Sequence, residues 1–83
     1  MISLSHSRTG TSLELSDTAG LGLAVREARK THGLTQAELA GLAGTGLRFI
    51  GELERGKPTL EVGKVLDVLA VLGLRLLLAG AGE

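Results

Sequence analysis

The 83 residues suffice for one small domain with a limited buried core. No cysteine is present, which excludes a disulfide framework and a thiolate metal site. Nine basic residues balance nine acidic ones, which argues against broad non-specific nucleic-acid binding but leaves room for a local basic cluster.

In chain order, the Ser- and Thr-rich segment from Met1 to Ser16 has no helical periodicity. It reads as a flexible arm or, where Leu13 and Leu15 alternate with polar neighbours over Ser12 to Ser16, as a short strand. Met1 to Gly10 lacks the apolar core of a secretory signal, so a soluble cytoplasmic protein is expected. A first helix is predicted from Thr18 or Ala19 to His32, capped by Asp17 or Thr18 and ended by Gly33. Gly20 and Gly22 should each weaken its first turns by roughly 1 kcal/mol relative to alanine.

The second helix has the clearest signature. Thr35 and Glu38 form a capping box, Leu34 and Leu39 a hydrophobic staple, and Gly44-Thr45-Gly46 makes the next turn. A third helix runs from about Leu47 to Arg55, with Ile50 and Leu53 inward and Arg48, Gly51, Glu52 and Arg55 outward. The fourth begins after Pro58 with Thr59 as its cap and a face of Leu60, Val62, Val65, Leu66, Leu69 and Leu72. After Gly73, the run Leu74, Arg75, Leu76, Leu77, Leu78 is too short for a helix and reads as a strand. A lone strand leaves backbone groups unpaired, and a second copy is the simplest remedy. Leucine-rich chains without cross-links also gain stability by oligomerising, so a homodimer joined through residues 74–78 is expected.

Two short helices joined by a glycine-containing turn are the unit that carries a helix end into the DNA major groove. By spacing, Gly46, Leu47, Arg48 and Gly51 occupy the recognition positions, and Arg48 has the fork that suits guanine. Gln36 at the start of the second helix is placed to donate to a phosphate. Arg55 and Lys57 lie over the DNA backbone or on a solvated loop end. With Thr45 these complete the expected DNA-binding set. Arg29 and Glu54 are read as a structural ion pair, and Phe49 as partly core. His6 and His32 lie far apart with no partner motif, and no metal-ligand spacing or nucleophile turn is present. Neither catalysis, a metal nor a cofactor is expected.

Gly33 to Ala40, followed by Glu54-Arg55-Gly56-Lys57-Pro58-Thr59, resembles the Cro/cI-type (XRE) helix-turn-helix repressors. Leu47 to Ile50, the run Leu53 to Thr59, Gly63 to Leu66 and the closing Leu72 to Leu78 look more narrowly like the HipB-type antitoxins. The resemblance implies a mainly α fold: a four- to five-helix domain over residues 17–73, an arm or strand over 1–16, and a C-terminal dimerisation strand and tail over 74–83. It also implies an autorepressor that binds operator DNA and holds a HipA-type serine/threonine-kinase toxin inactive. Gly46, Leu47 and Gly51 stand where such proteins often carry Ser, Gln, Lys or Arg, implying heavier reliance on backbone contacts or DNA shape. The competing readings are a stand-alone repressor without a toxin and an interaction module that has lost DNA reading.

Overall fold

The computed structural model describes residues 2–6, 12–15, 17–78 and 80, with side chains from Leu15 onward. Within them lie β1 (Ile2–His6), β2 (Ser12–Leu15), α1 (Thr18–Thr31), α2 (Gln36–Ala43), α3 (Leu47–Glu54), α4 (Val62–Val71) and β3 (Leu74–Leu78).

Local chemistry accounts for most of the helix ends. Asp17 accepts from the Gly20 amide at 2.8 Å and starts α1. At the start of α2, the Thr35 hydroxyl accepts from the Glu38 amide at 3.0 Å while Glu38 accepts from the Thr35 amide at 2.8 Å. The hydrogen bond from the Thr35 backbone amide, and after it the Thr35 hydroxyl, hold the Glu38 carboxyl below its usual range. Gly56 ends α3 at φ +82 and lies so close to Ala19 that an added Cβ would come within 2.7 Å of the Ala19 Cα. Only glycine satisfies both conditions.

The helices enclose Val25, Leu39, Ile50, Leu53, Val68, Leu69 and Leu72, all essentially buried. Burying each such side chain is worth about 1.5–3 kcal/mol, so this cluster dominates the favourable side. Gly22 makes the α1–α3 crossing possible, because a Cβ there would lie 2.4 Å from the Leu53 carbonyl oxygen. The residue expected only to weaken α1 is therefore where the backbone of α3 packs directly on α1. At the far end of α1, a His32 ring nitrogen lies 3.0 Å from the Leu72 carbonyl oxygen and ties α1 to the end of α4.

Three expectations are corrected. First, α4 starts at Val62 rather than after Thr59, with Glu61 at the cap position and no side-chain cap. Leu60 packs against the core ahead of the helix. Second, Val68 replaces Val62 and Leu66 on the buried face of α4, and both of those are exposed. Seven of the ten residues of α4 are apolar, so its apolar arc is wider than the buried stripe and does not by itself fix the orientation. Third, β3 is not left without a partner in its own chain. It pairs antiparallel with β1, Leu4 opposite Leu76, and β1 pairs in turn with β2, giving the order β2-β1-β3. Ile2-Ser3-Leu4-Ser5-His6 has the alternation of a half-buried strand, and the arm is thus a pair of strands over its described residues.

Candidate nucleic-acid interface

Helix α3 has two chemically different faces. Ile50 and Leu53 enter the core, whereas Leu47 is 54% exposed and the Arg48 side chain 90% exposed. The N-cap of α3 is Gly46, which supplies no side-chain cap, and Gly46 is itself exposed. The first amides of the helix therefore keep their capacity to bind an anion. Thr45 precedes them with its hydroxyl 3.5 Å from the Gly46 carbonyl oxygen.

Arg48, Glu52 and Lys57 form one cluster along the outer face. The Arg48 Nε lies 3.3 Å and the Lys57 Nζ 3.2 Å from the same Glu52 oxygen, Oε2. The bond from Lys57, more than that from Arg48, holds the Glu52 carboxyl below its usual range. Sequence reasoning placed Glu52 outside without a role; its i,i+4 spacing from Arg48 was the available signal. With Arg55, this face gathers Arg48, Arg55 and Lys57 against Glu52, so a chain of zero net charge presents a locally basic surface.

Gly51 is corrected. It is buried rather than outward, because the Arg55 guanidinium lies across it, 3.2 Å from where a Cβ would stand. The absence of a side chain there gives Arg55 its bed.

Gln36 faces the interior corner of the unit. Its Nε2 donates to Glu54 Oε1 at 3.0 Å, leaving the second amide hydrogen for another acceptor. The same carboxylate takes Arg29 Nε at 2.6 Å and Nη2 at 3.0 Å, and Arg29 Nη1 donates to the Leu34 carbonyl at 2.9 Å. The Arg29 and Glu54 side chains are 11% and 4% exposed. Burial alone would raise the Glu54 carboxyl, but the hydrogen bonds from Arg29 and Gln36 and the charge of Arg29 outweigh it and hold the group low. This network locks α1, α2 and α3 together and fixes the angle at which α3 is presented.

Phe49 is half-buried against the core, and the Lys64 ammonium stands over its ring at 5.8 Å, a contact that spacing alone did not reveal. Leu74 to Leu78 lie on the sheet, packed on α4. Among the described residues, no group of His, Asp and Glu is placed to hold a metal ion. No helix there is long and apolar enough to cross a membrane.

Residues 25–78 match the family described as Helix-turn-helix (HTH_3). The chain belongs to that helix-turn-helix family. It is 54% identical over 65 residues to an "uncharacterized HTH-type transcriptional regulator y4mF" of Sinorhizobium fredii, covering 78% of this chain and 86% of that protein. Among solved structures it resembles the restriction-modification controller protein C.AhdI from Aeromonas hydrophila. The TM-score is 0.62 at 32% identity, over 68% of this chain and 81% of that one. The helix-turn-helix unit, α2 and α3 with the turn between them, lies wholly inside the matched residues.

Proposed function

We propose that this protein is a DNA-binding transcriptional regulator of the XRE type that acts on operator DNA as a homodimer. The observation that carries the reading is the exposed Arg48 on the first turn of a helix whose opposite face is locked into the core. Such a helix end enters the major groove, with Arg48 directed at guanine and Arg55, Lys57 and the free amides of α3 directed at phosphates. Gel shift or fluorescence anisotropy with duplex from upstream of its own gene tests this. Retention of that duplex over a scrambled one supports the reading, and equal weak binding to both overturns it.

For the homodimer, support comes from the sheet. Among the described residues the outer edge of β3 is unpaired, and Leu77 and Leu78 are 40% and 79% exposed. Antiparallel pairing of two copies about Leu76 sets the buried Leu74 of one against the exposed Leu78 of the other. Two recognition helices would then lie about one DNA turn apart, roughly 34 Å. Sedimentation of the full chain as a monomer at micromolar concentration would contradict this assembly.

The finer reading is an antitoxin that represses its own operon and neutralises a HipA-type kinase toxin. It rests on the motif resemblance over residues 47–78. A stand-alone repressor is the second reading, favoured by the names of the two relatives, which speak of transcriptional regulation and restriction-modification control. Co-purification with the product of an adjacent kinase-fold gene separates the two, and absence of such a gene leaves the repressor. Either role is non-enzymatic and cytoplasmic.

A further inference from the structure

We propose that Glu52 is the positioning residue for Arg48, holding its guanidinium by the inner nitrogen so that the outer N–H pair faces a guanine edge. The inference rests on the DNA-binding reading and adds a residue to it. Guanine is read by two parallel N–H groups directed at O6 and N7. An arginine side chain is long and loses rotamer freedom when it is fixed in that pose. Arg48 is 90% exposed, and the hydrogen bond it makes from Nε goes to Glu52 Oε2. That contact spends the inner donor and, among the described residues, leaves both Nη groups to point outward.

Glu52 is itself held. Its side chain is only 18% exposed, and Lys57 Nζ meets the same oxygen from the other end of α3. The Lys57 amide also donates to the Glu52 carbonyl at 3.0 Å, fixing the loop that carries the lysine. In water such a surface pair is worth little. Beneath a duplex the surrounding water is displaced, and the same contact strengthens. The carboxylate also repels phosphates that approach out of register, so it penalises non-specific docking while it orients specific docking.

The test compares affinity for upstream duplex with affinity for a scrambled duplex of equal length, using the full chain. Glu52→Ala should narrow this discrimination by about tenfold, with non-specific binding unchanged or tighter. Glu52→Gln keeps an acceptor oxygen for Arg48 Nε and should recover part of the loss. In an Arg48→Ala background the Glu52→Ala effect on discrimination should vanish, which a merely structural role for Glu52 would not produce. Unaltered discrimination in Glu52→Ala, or an equal loss with and without Arg48, overturns the proposal. Failure of the wild-type chain to discriminate at all would instead overturn the DNA-binding reading.

Discussion

The inner and outer faces of α3 carry the same kinds of residue in opposite circumstances. On the inner side Glu54 is 4% exposed and receives Arg29 and Gln36 in three hydrogen bonds. On the outer side Glu52 meets Arg48 and Lys57 through one oxygen, and Arg48 stands almost free in solvent. Both are carboxylates held low by basic partners. The inner one is committed to the fold, since withdrawing a partner strands a buried charge. The outer one holds its partners at the surface, where their remaining donors stay available to a ligand. One eight-residue helix thus separates what must not move from what must remain available.

The largest effect should come from breaking the inner face. Arg29→Ala should cost about 3 kcal/mol in denaturant unfolding, the lower end for breaking a buried pair. The pH dependence has a definite sign. The folded-state value of Glu54 lies below its unfolded one, so its stabilisation is complete above the unfolded carboxylate range and is lost as pH falls through the folded value. Glu54→Gln should flatten the acid side of the stability profile, and an unchanged acid limb would dissociate Glu54 from it.

Gly22→Ala should follow, at about 2 kcal/mol destabilising in a thermal melt. Helix propensity would favour alanine by about 1 kcal/mol, so even the sign tests the crossing. A more stable variant would show that α1 and α3 do not approach as closely as described.

Arg48→Ala should leave the melt unaltered and weaken operator binding by about 1–3 kcal/mol, with relaxed preference at one base pair. Loss of stability without loss of base preference would erase the contrast between the two faces. Smallest is Thr35→Ala, about 1 kcal/mol, which removes the hydroxyl that caps α2. Hydrogen exchange localised to α2 is the measurement that reports it.

Much of this was legible without coordinates. The cap at Asp17, the capping box of Thr35 and Glu38 and the terminators Gly33 and Gly56 are signals between residues a few positions apart, and the structure has them at those places. Spacing also placed Arg48 on the outer face. Gly51 departs from its expected outward position because it takes its burial from a neighbour's side chain, Arg55. The strand Ile2–His6 carries an alternating pattern, but serine-rich segments resemble loops in composition, so the pattern alone does not set it apart from an arm.

The sequence by itself determined the order and kind of the helices and the ends of α1, α2 and α3, since caps, turns and short-range periodicity act through neighbouring backbone groups. Tertiary structure alone decided which way the apolar α4 faces, that β3 takes β1 as its partner, and that Gly22 is where two helices meet. Those outcomes depend on surfaces brought together from distant parts of the chain, where steric fit and hydrogen-bond satisfaction, rather than local preference, select one arrangement.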